Sequence, residues 1–115
     1  MSDDIFCKII RKEAGDSVFD EGEGWIALKD IHPQAPVHIL IIPKKHIESI
    51  EQATEEDRNL IGELVLAARK IAKKAGISEN GYRLILNQGD HGGQAINHVH
   101  IHLLGGKPLG PKIVK

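Results

Sequence analysis

The sequence predicts an α+β domain built on a mostly antiparallel sheet. Three observations lead there. Apolar residues recur at helical spacing over one long stretch that ends at Gly76. Short segments with strand character, bounded by Gly, Pro and Asn, lie on both sides of it. The elements therefore run helix, strands, helix, strands, as in an α+β architecture.

Each element has a local reason. Asp3 or Asp4 can cap a short first helix, because a carboxylate accepts from the free N–H groups of a first turn. Ile5, Phe6, Ile9 and Ile10 follow at helical spacing, and Gly15 comes after the Lys/Glu end. Ser17 to Asp20 reads as a short strand, Gly22 to Gly24 as a hairpin turn, and Trp25 to Lys29 as the returning strand. Pro33-Gln-Ala-Pro36 cannot continue a central strand, since each proline lacks a donor. His38-Ile-Leu-Ile-Ile42 reads as a buried strand stopped by Pro43. Thr54-Glu-Glu-Asp57 resembles a capping box with Asp in the place of Glu or Gln. Leu60, Ile61, Leu64, Val65, Ala68, Ile71, Ala72 and Ala75 then mark one helical face, and Gly76 suits the residue just past its end. Tyr82 to Asn87 alternates as a strand, and Gly89-Asp-His-Gly-Gly-Gln94 is a flexible connection. Ala95 to Leu104 is the expected last strand, closed by Gly105-Gly106.

At 115 residues the chain fits a single domain spanning 1–115. A domain this small buries proportionally little surface, so tight oligomerisation would help it. Aromatic residues make up only 3%, which leaves the core to Ile, Leu, Val and Ala. The formal charge is -1, and Lys44-Lys45 and Lys73-Lys74 are pairs rather than tracts. No basic stripe interleaved with aromatics marks a nucleic-acid groove, so a polynucleotide partner is not expected. A small anion is compatible, because one pocket can be positive on a near-neutral protein. Cys7 is the sole cysteine, which rules out an internal disulfide and the Cys-rich zinc patterns. It fits a reducing compartment. The acidic start Met1-Ser-Asp-Asp-Ile is no signal peptide, and no run is long enough to span a membrane. The expected setting is the cytosol.

His98, His100 and His102 alternate with apolar residues. On a strand they share one face, and Val99, Ile101 and Leu103 share the other. A polar sheet face that merely carries histidines is one reading. Metal binding is a second, since imidazole suits zinc. However, His98 and His102 would stand roughly 13 Å apart at the backbone, at about 3.3 Å per residue. Zinc needs each nitrogen within about 2.1 Å, so the outer pair would have to lean far inward. His32, His38, His46 or His91 could complete a site instead. The third reading is covalent catalysis on phosphorus by a neutral imidazole. Flanking histidines, and backbone amides at Gly92-Gly93, would donate to the phosphoryl oxygens. No metal set and no cofactor are assigned.

His98-Val-His-Ile-His-Leu-Leu104 matches the alternating signature of the histidine triad superfamily. The resemblance runs from Ile5-Phe6 to Gly106, through Asp30-Ile31, Pro33-Gln-Ala-Pro36, His38, Ile42-Pro-Lys-Lys-His46, Gly92-Gly-Gln94 and Leu104-Gly-Gly106. The Pro-Gln-Ala-Pro and Gly-Gly-Gln segments resemble its HINT branch, the histidine triad nucleotide-binding proteins. That resemblance implies the histidine triad fold: a five-stranded antiparallel sheet with one long and one short helix. It implies a homodimer whose sheets join across the interface. It also implies a phosphoramidase that cleaves the P–N bond of purine nucleoside 5′-monophosphoramidates, and in some members aminoacyl-adenylates, releasing AMP or GMP. A dinucleoside polyphosphate hydrolase and a non-catalytic purine-nucleotide-binding regulatory dimer are the alternatives.

By the same resemblance His100 is the nucleophile, His98 orients it, His102 contacts the α-phosphate, and His38 is the fourth active-site histidine. Asp30 accepts from the ribose hydroxyls, though a turn-forming role is open to it as well. Ile5, Phe6, Ile9, Leu28 and Ile31 line the cleft around the base, a role compatible with a place in the core. Asn87, Gly93, Gln94 and Ala95 lie by the phosphate or leaving group. His46 falls in a similar segment with no role implied; His32 and His91 read as surface loop residues and Cys7 as an incidental thiol. The chain departs from the animal-type pattern at Ala95, where Ser is usual, and at Asn97, where Tyr is frequent. The tail after Gly106 also departs from that pattern, and Lys107-Pro-Leu-Gly-Pro111 resembles bacterial members. Family tails reach toward the partner's active site, so leaving-group preference is the property least carried over.

Overall fold

The apolar run Val37–Pro43 forms the central strand, buried along nearly its whole length as a strand covered on both faces should be. The computed structural model describes residues 4–12 and 18–111. In chain order its elements are α1 (Ile5–Ile10), β1 (Val18–Glu21), β2 (Trp25–Lys29), β3 (Val37–Pro43), α2 (Arg58–Lys74), β4 (Tyr82–Leu86) and β5 (Ile101–Gly105). The five strands make one sheet in the order β1-β2-β3-β5-β4, every neighbouring pair antiparallel.

Alternation sorts the strands onto two faces. Ala27, Ile39, Ile41, Ile101 and Leu103 pack against Leu64, Ala68, Ile71 and Ala72 of α2. Ile26, Leu28, Leu40 and Ile42 pack on the opposite face with Phe6 of α1, and Ile9, Ile10 and Ile96 close over them. His38 and His102 fall on this second face, because they alternate with Ile39 on β3 and with Ile101 and Leu103 on β5. Each wholly buried Ile or Leu contributes roughly 1.5–3 kcal/mol of transfer free energy, so the two layers together position the histidine face.

The local signals operate as the sequence implies. Asp4 caps α1, its Oδ1 accepting from the Cys7 N–H at 2.8 Å. Gly22-Glu-Gly24 turns the first hairpin, with the Gly22 N–H donating to the Trp25 carbonyl at 2.9 Å. A side chain at Gly22 would run into the Trp25 indole. Thr54 and Asp57 close a capping box, although one 3₁₀ turn (Glu55–Asp57) precedes α2 proper. At its far end Gly76 takes φ +78, and Ile77 and Gly76 donate back to Ala72 and Lys73, which is a Schellman stop.

Three expectations are corrected. The last strand begins at Ile101 rather than Ala95, and residues 95–100 are irregular. The ladder between β3 and β5 ends at Ile41↔Ile101, where β3 runs into Pro43, which has no N–H to offer; Val99 instead donates to the Ile47 carbonyl at 2.7 Å. Strand β4 stops at Leu86, one residue before Asn87. Val65 is 45% exposed, because the buried stripe of α2 is centred on Leu64, Ala68 and Ile71 and Val65 lies on its flank. Asp3, Gly15 and Ser17 lie outside the described residues.

Candidate active site

A cleft of about 490 Å³ opens between α1, the end of β2 and the chain after Gln94. Ile5, Phe6, Ile9, Leu28, Ile31, Leu40, Ala95 and Ile96 line it, with Asp30 as its carboxylate. Its wall is thus largely apolar with one acidic group, the usual make-up of a small-molecule site. A wider depression of about 770 Å³ passes Lys45, Glu48, Gln52 and Glu55, but His46 is the only histidine on it. The smaller cleft is the candidate because it adjoins the histidine face.

The hydrogen bonds around that face determine the tautomers. His100 Nδ1 lies 2.7 Å from the His98 carbonyl oxygen, which can only accept. Nδ1 therefore carries the proton, and the lone pair of neutral His100 is on Nε2. On His38, Nδ1 accepts from the Gln34 N–H at 3.0 Å, so Nε2 is the protonated atom. That Nε2 lies 2.9 Å from His102 Nδ1 and 3.3 Å from Asp30 Oδ2. His102 Nδ1 thus accepts, and its Nε2–H is left as a donor. Burial pushes the His100 pKa down, and so does the neighbouring His98 charge, partly opposed by the bond to the His98 carbonyl. Burial, with His100 and His38 nearby, lowers His102 to about 4. Both rings are neutral near neutral pH, one offering a lone pair and the other a donor.

Asp30 serves two ends. Its Oδ1 accepts from the His32 N–H at 2.8 Å, which forms the turn ahead of Pro33, while Oδ2 faces His38 and the cleft.

His98 is turned elsewhere. It is completely buried, and its Nε2 lies 2.9 Å from the Pro43 carbonyl oxygen. Its Nδ1 lies 3.2 Å from Asp4 Oδ2, 3.2 Å from His46 Nδ1 and 3.7 Å from Cys7 Sγ. His46 Nδ1 is in turn 3.2 Å from Asp4 Oδ2 and 3.3 Å from Cys7 Sγ. Phe6 sets its edge against both His98 and His100, with centroids 5.7 and 5.3 Å away. Two groups of metal-ligating type are therefore present among the described residues: Asp4, Cys7, His46 and His98, and Asp30, His38 and His102.

Residues 11–109 match the family model of the HIT domain. The chain belongs to the histidine triad (HIT) family. Among its relatives, the purine nucleoside phosphoramidase of Escherichia coli (strain K12) is 47% identical over 109 residues, which span 95% of this chain and 92% of that protein. A HIT family hydrolase from Clostridium thermocellum superposes with a TM-score of 0.94 at 46% identity, covering 99% of both chains. A histidine triad protein from Clostridium difficile gives 0.92 at 37% identity, covering 96% of both.

The HIT fold gathers most of the residues singled out in the sequence. Ile5, Phe6, Ile9, Leu28, Asp30, Ile31 and Ala95 share the cleft. His38, His100 and His102 form one contiguous group, with ring centroids about 5 Å apart in sequence of contact. His32 and His91 are exposed.

Other expectations are corrected. Residues 95–100 are not a strand, yet Val99 still packs with Ile101 and Leu103 while Phe6 meets both His98 and His100, so the alternation persists; His98 is nevertheless wholly buried beside Asp4, Cys7 and His46 rather than at the cleft. The Gly93 and Gln94 N–H groups donate inside the turn, to the Asp90 and Gly89 carbonyls. The Gln94 side chain braces the same turn: Oε1 accepts from the Gly89 N–H, and Nε2 donates to the Glu48 and Ile96 carbonyls. Asn87 Nδ2 donates to the Gly92 carbonyl at 2.7 Å. These polar residues shape the loop that carries Ala95. Cys7 is no incidental thiol, since it faces two histidines. The signals for that second group were Asp4-Ile-Phe-Cys7, spaced by one helical turn, and His46 just after the Pro43 stop.

Proposed function

We propose that this HIT protein is a hydrolase of purine nucleoside 5′-monophosphoramidates, with His100 as nucleophile. The observation that carries the reading is the tautomer of His100: its Nδ1–H is held by the His98 carbonyl at 2.7 Å, so the lone pair stays on Nε2. Burial keeps the ring neutral, hence nucleophilic, at pH 7. The E. coli relative carries the name of this activity.

In this reading Nε2 attacks the α-phosphorus, a P–Nε2 bond forms and the P–N bond breaks. The amine leaves with its bonding pair and takes up a proton. Water then attacks the nucleotidyl-histidine and releases AMP or GMP, returning the pair to Nε2. His102 Nε2–H donates to a phosphoryl oxygen as charge builds there. His38 and Asp30 hold His102 in the donor tautomer, and Asp30 also accepts from a ribose hydroxyl. The apolar walls around Phe6 and Leu28 take the base. Ala95 offers only a methyl group to the leaving amine, so that group is held loosely.

The test is turnover of an adenosine phosphoramidate, set against a dinucleoside polyphosphate. His100→Ala should lose at least roughly 10⁴-fold in kcat, as expected for a nucleophile, while still binding AMP. The wild type should show a nucleotidyl adduct by intact mass after rapid denaturation above neutral pH. Full turnover by His100→Ala overturns the assignment, and faster cleavage of the phosphoanhydride moves the enzyme to the polyphosphate branch. AMP binding without any turnover by the wild type would leave a nucleotide-binding regulatory dimer.

We further infer a homodimer through β4 and α2. Strand β4 is a sheet edge, and an uncovered edge invites pairing. Leu84 and Leu86 on it, and Val65 and Leu66 on α2, are exposed large apolar residues. Leu84→Lys should shift the sedimentation of the protein toward the monomer. A single cysteine, which cannot form an internal disulfide, supports a cytosolic setting in this reading. Among the described residues no helix is long and apolar enough to cross a membrane.

A further inference from the structure

The geometry points to Gln94 as a positioning residue for His100, the nucleophile of the reading above on which this rests: its side chain acts through the backbone that holds His100 rather than on the reacting atoms. The carboxamide is fully engaged with the protein. Its Oε1 accepts from the Gly89 N–H at 3.0 Å, and its Nε2 donates to the Glu48 carbonyl at 2.8 Å and to the Ile96 carbonyl at 3.0 Å. A primary amide has two N–H donors, and both are taken up here. With an N–H facing one end and two carbonyls facing the other, only one orientation of the group satisfies all three partners.

From Gln94 the contacts run on to the reactive ring. The Ile96 carbonyl also accepts from the His98 N–H at 2.8 Å, which closes a γ-turn centred on Asn97. That turn presents the His98 carbonyl to His100 Nδ1 at 2.7 Å, the bond that leaves the lone pair on Nε2. Residues 95–100 have no strand ladder to hold them in place. The stretch after β3 supplies the hold instead. Its successive Ile47 and Glu48 carbonyls accept from the Val99 N–H at 2.7 Å and from Gln94 Nε2, so the segment is pinned at both ends. The Val99 bond is main chain to main chain and independent of side-chain type. The Gln94 bonds need a side chain of this length with a donor pair and an acceptor.

The neighbouring polar side chains do a different task. Asn87 Nδ2 donates to the Gly92 carbonyl, and Gln88 Oε1 accepts from the Glu51 N–H at 3.0 Å. Both fasten the turn after β4; of these three side chains only Gln94 bonds the Ile96 carbonyl. Without that bond the γ-turn is held by one N–H alone, and the His98 carbonyl drifts from His100. Which nitrogen of a neutral imidazole carries the proton is set by the hydrogen bond the other one makes. A His100 ring that loses its acceptor at Nδ1 shifts its proton to Nε2, and the nucleophilic lone pair is lost from that atom.

Gln94→Ala and Gln94→Glu test this in the full chain, well below the unfolding midpoint. The second variant keeps size and an acceptor for Gly89 but sets an oxygen against two carbonyl oxygens. In single-turnover mixing with an adenosine phosphoramidate, both should form the nucleotidyl adduct roughly 10²-fold more slowly, the scale of a small misplacement caused from outside the chemistry. AMP affinity should change little, and the factor should be the same for an alkylamine and an arylamine leaving group. Ring ¹⁵N shifts should show His100 with its proton on Nδ1 in the wild type and moving toward Nε2 in both variants. Gln88→Ala, which loosens the same turn without touching Ile96, should leave rate and tautomer as they are. A wild-type rate and tautomer in Gln94→Ala overturn the proposal. So does a loss that differs between the two leaving groups, which would put the carboxamide on the leaving amine, or an equal loss in Gln88→Ala. Failure of both Gln94 variants to fold would make Gln94 a support of the whole domain and overturns it too. If the wild type forms no adduct, the activity reading fails by itself, and the His100 tautomer still decides the role of Gln94.

Discussion

Two histidine clusters share Phe6 as a neighbour and differ in what their atoms can do. His38, His100 and His102 border an open apolar cleft, and their hydrogen bonds run donor to acceptor until one lone pair and one N–H remain. His46 and His98 lie against Asp4 and Cys7, with both His98 nitrogens and His46 Nδ1 directed at other protein atoms. The same residue type thus borders an open cleft on one side and is packed among protein side chains on the other. What separates them is what stands around each ring: His102 lies in the β5 ladder beside His38, while His98, beyond the end of that ladder, is enclosed by Asp4, Cys7 and His46.

Removing their common neighbour should have the largest effect. Phe6 is 4% exposed and packs with Ile26, Leu28, Leu40 and Ile42, so Phe6→Ala should cost about 3–5 kcal/mol in urea unfolding. A loss under 1 kcal/mol would mean that α1 hardly supports either cluster. Next comes His102→Ala, which removes only the open-side donor. It should lower kcat by roughly 10²–10³-fold, the scale of one lost donor to a developing charge, with unfolding midpoint and AMP affinity little changed. A change in KM alone would place His102 in ground-state binding.

Acid should separate the clusters further. Near pH 7 the His102 ring is neutral whether the chain is folded or not. Below its ordinary 6.5 the unfolded chain takes a proton that the folded ring refuses until about 4. Stability therefore falls as pH drops from about 6.5 to about 4, by at most about 3 kcal/mol. Chemical denaturation across that window should show the slope, and His102→Gln should flatten it. Below about 4 the carboxylates take over: Asp57, held down by Lys45 and the Thr54 N–H, loses its stabilising contribution as it protonates. The smallest effect belongs to His91, exposed in the turn after β4. His91→Ala should change stability by less than about 0.5 kcal/mol and leave turnover intact; any larger effect in either assay would draw a third histidine region into the comparison.

Much of the fold was legible because its signals are local. The Gly22–Gly24 turn, the Pro43 stop, the Thr54–Asp57 box and the Gly76 terminus each act within a few residues. The cleft was legible through resemblance: Ile5, Phe6, Ile9, Leu28 and Ile31, expected around a base, line a single cleft. The turn residues Asn87, Gly93 and Gln94 were harder to read, since an amide or an N–H looks the same in sequence whether it meets a ligand or its own loop.

The sequence by itself determined the α+β class, the two apolar faces and the presence of a triad, since periods of 2 and 3.6 residues and turn chemistry are properties of short stretches of chain. Only the tertiary structure decided how that triad divides. Strand alternation puts His98 and His100 on the side of Phe6, and Val99, Ile101 and Leu103 on the other, even though pairing with β3 ends at Ile101. Beyond that point what surrounds each ring is set by packing against α1 and the residues around His46, which are remote in sequence and close only in space.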